Sequence, residues 1–262
     1  MVLYLEGISF RITQVRQGSS ALKSWPAQTM RDARDRLIVA LDVSSSAEAR
    51  NIVATLGESV HTFKVGKQLF TAEGPQVVRD LVNSGRKVFL DLKYHDIPNT
   101  VGAAVAQATK LGVSMISVHA SGGGAMLRAA VEGARDINPA VRILAVTVLT
   151  SLTDSDLDKI GVRGRVVDQV LRLGAMALAN GCQGIIASAR EASELRSELG
   201  NEFLIVTPGV RPPGTGHGDQ ARVVTPEEAI ASGASYIVVG RPITHAADPA
   251  AEAKAILGQI SG

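Results

Sequence analysis

Three ionisable residues of alternating sign, Asp91, Lys93 and Asp96, follow directly on the apolar run Val88-Phe89-Leu90, inside the decapeptide Asp91-Leu-Lys-Tyr-His-Asp-Ile-Pro-Asn-Thr100. Asp91 and Lys93 are two apart, which on a strand aims both side chains to the same side. A carboxylate and an ammonium delivered together at the end of a buried strand are costly to desolvate. Two readings follow. Either the pair is a salt bridge that closes a strand terminus, or it carries a function at a site. The positions of the other polar residues decide between them.

Those positions depend on the elements that carry them. From Leu37 onward, short aliphatic runs recur at 37–41, 62–65, 87–90, 115–118, 143–148, 184–187, 203–206 and 236–239. Near-continuous apolar runs of this length predict strands buried on both faces, as in parallel sheets. Ala-rich stretches with helical spacing lie between them. Ser44-Ser-Ser-Ala-Glu48 and Thr225-Pro-Glu-Glu228 read as capped helix starts, and Asn83-Ser-Gly85, Leu111-Gly112 and Ser232-Gly233 as helix stops. Eight strand–helix units without a linker predict a single-domain α/β fold, a closed (β/α)8 TIM barrel over residues 37–262. A doubly wound sheet is the alternative, but no G-x-G-x-x-G follows the first strand.

A barrel of this kind builds its site at the C-terminal ends of its strands. There the sequence sets Asp42 after strand 1, Lys64 on strand 2, Asp91 and Lys93 on strand 3 and His119 on strand 4. Thr147 to Ser151 follow strand 5, Thr207-Pro-Gly-Val-Arg211 strand 7 and Gly240-Arg241 strand 8. Charges gathered at one end of so many strands favour the functional reading. Gly240 allows backbone amides to approach an anion and Arg241 adds a fork-shaped donor, so strands 7 and 8 predict a phosphate site. The Gly- and Pro-rich segment 208–221 reads as a lid, with Arg211 at its base and Gln220 at its far end. Gly122-Gly-Gly124 reads as a turn, and His61 and His245 as structural or surface residues. His95, His119 and His217 lack metal-ligand spacing, so no metal site is predicted.

Composition narrows the class. The 262 residues are 45% hydrophobic and 20% charged with a net charge of +2, which argues for a large core and against nucleic acid or an anionic membrane surface. Aromatics at 3% also argue against base-stacking platforms. The one cysteine, Cys182, excludes an internal disulfide, fits a reducing cytoplasm and reads as a buried structural thiol. No run approaches the roughly 20 apolar residues of a membrane span. Residues 1–36 show no clear period and read as an N-terminal extension or a misplaced start that carries no legible chemistry.

Several blocks match one family in order: Leu37-Ile-Val-Ala-Leu-Asp42, Phe63-Lys64-Val-Gly66, the 91–100 decapeptide, Val118-His-Ala120, Val146-Thr-Val-Leu-Thr-Ser151, Thr207-Pro-Gly-Val-Arg211 and Val238-Val-Gly-Arg-Pro-Ile-Thr244. From Leu37 to the C-terminus the chain resembles orotidine 5′-phosphate decarboxylase of the bacterial type. The resemblance implies cofactor-free, metal-free decarboxylation of orotidine 5′-monophosphate to UMP, the last step of de novo pyrimidine synthesis. It implies Lys93 as the proton donor to C6 within an array of Lys64, Asp91, Lys93 and Asp96. It further implies a homodimer with shared sites, into which Asp96 and Thr100 reach across the interface. Asp42 and Lys64 would hold ribose hydroxyls, Thr150 the pyrimidine, Gln220 the closed lid, and Arg211, Gly240 and Arg241 the phosphate.

Two rivals share part of this pattern. A Mg²⁺-dependent sugar-phosphate decarboxylase or aldolase of the same barrel superfamily has a similar D-x-K-x-x-D strand, but the Ile-Pro-Asn-Thr100 extension and Gln220 favour the nucleotide enzyme. A catalytically dead nucleotide sensor is expected to have lost Asp91 or Lys93, and both are present.

Overall fold

Each of the eight aliphatic runs forms a strand, and each strand pairs in parallel with the next. The computed structural model describes residues 32–212 and 224–261. Its strands are β1 Leu37–Ala40, β2 Thr62–Gly66, β3 Lys87–Tyr94, β4 Met115–His119, β5 Arg142–Val146, β6 Gly184–Ile186, β7 Leu204–Thr207 and β8 Tyr236–Val239. β8 pairs back onto β1, so the sheet closes as a barrel. The helices are α1 Ala33–Arg36, α2 Ser46–Leu56, α3 Lys67–Glu73, α4 Gln76–Asn83, α5 Pro98–Thr109 and α6 Gly123–Arg135. They continue as α7 Asp154–Lys159, α8 Val166–Ala179, α9 Ala189–Leu199, α10 Pro226–Ala231, α11 Arg241–Thr244 and α12 Pro249–Gln259. None is long and apolar enough to cross a membrane.

Local signals place these helices. Ser45 accepts a hydrogen bond from the Glu48 N–H to open α2, and Thr225 and Glu228 satisfy each other's backbone groups to open α10. After α4, α5 and α10 the chain reverses through Gly85, Gly112 and Gly233, at φ 81°, 84° and 102°, a region that penalises a Cβ.

Alternation along the strands divides the core in two. One face, including Val39, Val65, Leu90, Ile116 and Ile205, packs outward with the helices. The other, including Ile38, Phe89, Met115, Leu144, Ile186, Val206 and Val238, fills the barrel. On β2, β3 and β4 the inner face turns polar toward the C-terminal end, with Lys64, Asp91 and Ser117 all buried. Burying these groups without partners is unfavourable, so their neighbours decide what they do.

Sequence and structure part by more than one residue at two strands. β5 stops at Val146 rather than continuing to 148, and β3 runs on to Tyr94 instead of ending at 90. At the N-terminal end of the barrel, Asp35 pairs with Lys87 at 3.1 Å, and Arg36 donates to the Ala234 carbonyl at 2.9 Å. Residues 33–36, read from the sequence as the end of an extension, are therefore a short helix tied to the barrel base.

Candidate active site

The centre of the barrel mouth is a row of four charges of alternating sign. Lys93 Nζ donates to both Asp91 oxygens, at 2.8 and 2.7 Å. Lys64 Nζ lies 3.8 Å from Asp91 Oδ2 and donates to Asp42 Oδ1 at 2.8 Å. The row Asp42–Lys64–Asp91–Lys93 thus draws on three consecutive strands. It starts exposed at Asp42 and is buried at Asp91.

Simple alternation does not bring Lys93 to Asp91. Leu90 pairs with Ile116 and Tyr94 with Val118, so β3 spends four residues where β4 spends two. The extra residues form a bulge, and Lys93 adopts φ 53°, the one non-glycine residue at positive φ among the described residues. A left-handed backbone costs a non-glycine residue roughly 1–2 kcal/mol, so surrounding contacts must hold it. Ser117 on β4 is one: its hydroxyl accepts from the Lys93 N–H at 2.9 Å and donates to Asp91 Oδ1 at 2.8 Å.

Burial pushes the Asp91 carboxyl toward the neutral form, but the Lys93 and Lys64 ammoniums, with hydrogen bonds from Lys93 and Ser117, outweigh it. Its pKa falls below the ordinary carboxylate value. At neutral pH Asp91 is an anion locked between two cations. His119 stands beside the row with its ring centroid 5.3 Å from that of His95. Burial, then the charges of His95, Lys93 and Lys67, lower its pKa despite Asp91 nearby.

Space matters as much as charge. A Cβ on Gly66 would lie 2.9 Å from Lys64 Nζ and 3.0 Å from Asp42 Oδ1. The missing side chain therefore leaves room for the Lys64–Asp42 bridge. A Cβ on Gly240 would lie 3.8 Å from Asp42 Oδ2, so the turn after β8 borders the same charged row. Arg241 follows Gly240 as the first residue of α11. At the base of the predicted lid, Val210 bridges Val224 and the Arg211 N–H donates to the Val224 carbonyl at 3.0 Å. The chain therefore leaves for the segment and returns from it at one point.

Of the predicted site residues, Asp42, Lys64, Asp91 and Lys93 come together, with Gly240 alongside. Thr150 lies half-buried on the connection after β5. Asp96 and Thr100 are exposed, and Asp96 makes no ion pair among the described residues; its carboxylate accepts from the Ile97 N–H at 2.6 Å. Gln220, His217 and most of the predicted lid lie outside the described residues. Sequence reading missed Ser117 and Gly66. A hydroxyl within Met115-Ile-Ser-Val118 was the available signal for the first, and a glycine two residues after Lys64 for the second.

The family profile described as "Orotidine 5'-phosphate decarboxylase / HUMPS family" matches residues 35–256. The chain belongs to the orotidine 5′-phosphate decarboxylase family. It is a carboxy-lyase by class. An orotidine 5′-phosphate decarboxylase of Idiomarina loihiensis is 48% identical over 228 residues, covering 87% of this chain and 99% of the relative. Another, of Moorella thermoacetica, is 50% identical over 234 residues, covering 87% and 93%. The crystal structure of the enzyme from Lactobacillus acidophilus superposes with a TM-score of 0.78 at 40% identity, covering 86% of this chain and 99% of that one. The family match takes in every predicted site residue from Asp42 to Arg241 and begins inside α1.

Proposed function

We propose that the chain decarboxylates orotidine 5′-monophosphate to UMP and carbon dioxide without metal or organic cofactor, and that Lys93 supplies the proton to C6. The observation that carries this reading is the Lys93 ammonium held 2.7 Å from a buried carboxylate at the barrel mouth. When the C6–carboxylate bond breaks, carbon dioxide departs and the electron pair stays on C6, where no carbonyl is placed to delocalise it. An ammonium fixed in advance stabilises that charge as it forms, then gives its proton to C6 and is reprotonated from water. Asp91 keeps Lys93 in position and sets a negative charge beside the substrate carboxylate.

The other roles follow from place and type. Asp42 and Lys64 hold ribose hydroxyls and Thr150 the pyrimidine. Arg211, Gly240 and Arg241 bind phosphate, and Gln220 joins the closed lid to the nucleotide. Phosphate binding far from C6 contributes energy that closes the lid and assembles the site. Asp96 and Thr100 complete the site of a second subunit in a cytoplasmic homodimer. The run of exposed residues from His95 to Thr100, with Ile97 66% exposed, supports a partner surface there.

The Lys64 ammonium between Asp42 and Asp91 favours this reading over a Mg²⁺-dependent rival, because it occupies the space a divalent ion would need between those carboxylates. Loss of orotidine 5′-monophosphate followed by ultraviolet absorbance, with and without chelator, tests the proposal. Equal turnover in both is expected. No turnover, or turnover abolished by chelator, would overturn it.

A further inference from the structure

The β3 bulge has a single residue across from it. Ile116 faces Leu90 and Val118 faces Tyr94, so Ser117 alone on β4 spans the bulge. Bulge residues lose ladder partners, and the Lys93 N–H finds its acceptor in the Ser117 side chain at 2.9 Å. The same hydroxyl gives its proton to Asp91 Oδ1 at 2.8 Å. A serine hydroxyl has one proton to give and lone pairs to accept with, so both bonds form at once. Ser117 is fully buried on the inner face that Met115 also uses, where an apolar residue would meet no desolvation penalty.

We propose that Ser117 is a positioning residue for the decarboxylation: it pins the left-handed backbone of Lys93 and one oxygen of Asp91, and so fixes where the ammonium points. This rests on the reading of Lys93 as proton donor. Other groups face Asp91: Lys93 on its own strand, Lys64 from β2 with Asp42 behind it, and His119 from β4 with His95 beside it. Ser117 is the one whose hydrogen bonds join Asp91 to the backbone of Lys93. Its loss frees the backbone and withdraws a donor that favours the Asp91 anion.

The test compares Ser117→Ala, Ser117→Thr and Lys93→Ala with wild type, measuring kcat, KM and the acid limb of the kcat–pH profile. Ser117→Ala is expected to fold, to lose about 10- to 100-fold in kcat with little change in KM, and to shift its acid limb to higher pH. Ser117→Thr, which keeps the hydroxyl, is expected to recover most of the rate and the wild-type limb. Wild-type kcat and limb in Ser117→Ala would overturn the proposal. So would equal losses in Ala and Thr with an unmoved limb, since that pattern reports volume alone. Wild-type turnover by Lys93→Ala would remove the Lys93 reading, and the limb shift would still decide the hold on Asp91.

Discussion

Replacing Asp91 by asparagine keeps its shape and removes the one charge that both lysines share. Lys93 Nζ and Lys64 Nζ lie 2.7 and 3.8 Å from the same Asp91 oxygen, so they stand no more than about 6.5 Å apart. At an effective dielectric of about 20, two unit charges at that distance repel by about 2.5 kcal/mol. Asparagine still accepts a hydrogen bond from Lys93, so some of the lost attraction returns. A destabilisation of about 3 kcal/mol follows, the low end for breaking a buried pair. In a domain of this size that lowers Tm by roughly 6–12 °C. The pH dependence has a definite sign. The folded-state pKa of Asp91 is depressed, so its contribution is present above the unfolded value and fades as pH falls through the folded one. Urea unfolding of wild type and Asp91→Asn should show a constant stability difference at neutral pH that shrinks below the ordinary carboxylate value of 3.8. Equal stability at pH 7, or a difference that grows in acid, would refute the claim that Asp91 holds two mutually repelling cations.

Three further outcomes are expected. Gly66→Ala should fold normally but push the Lys64 ammonium off Asp42, raising KM for the nucleotide by about tenfold, the value of a well-placed charge-assisted hydrogen bond; an unchanged KM would show the bridge tolerates the methyl. Lys93→Ala and Asp96→Ala proteins, each inactive alone, should regain partial activity after mixing and subunit exchange, whereas a mixture as inactive as its parents contradicts a shared site. Cys182 is buried, which pushes its thiol up to about 12, so the native protein should resist alkylation at pH 7.5 and react only on unfolding; rapid native labelling would contradict that burial.

The barrel was legible because strands buried on both faces leave uninterrupted aliphatic runs, whose number and order could be read directly even where, as at β3 and β5, the strand ends could not. Asp42, Lys64, Asp91 and Lys93 were legible for the same reason: each is an ionisable group set against an apolar run. The bulge at Lys93 was not. Period-two alternation predicts convergence on Asp91 by itself, whereas the backbone reaches it through φ 53° with help from the neighbouring strand. Ser117 stayed hidden because a single hydroxyl in an aliphatic strand reads as filler until its two partners are known. Gly66 was likewise illegible, since its role is the volume it leaves beside Lys64 and Asp42. Asp96 and Thr100 show the reverse case. The family resemblance assigned them a role at the site, yet within one chain they are exposed.

The turnover of Lys93→Ala at saturating orotidine 5′-monophosphate measures what the Lys93 ammonium contributes to the chemical step. General acid catalysis by a positioned group is worth about 10²- to 10⁴-fold, and charge stabilisation by the same ammonium adds to it. A fall in kcat of at least about 10³-fold is expected, in a protein that still folds and still binds the nucleotide. Turnover within about tenfold of wild type would contradict this, because the proton and the stabilising charge would then come from some other group.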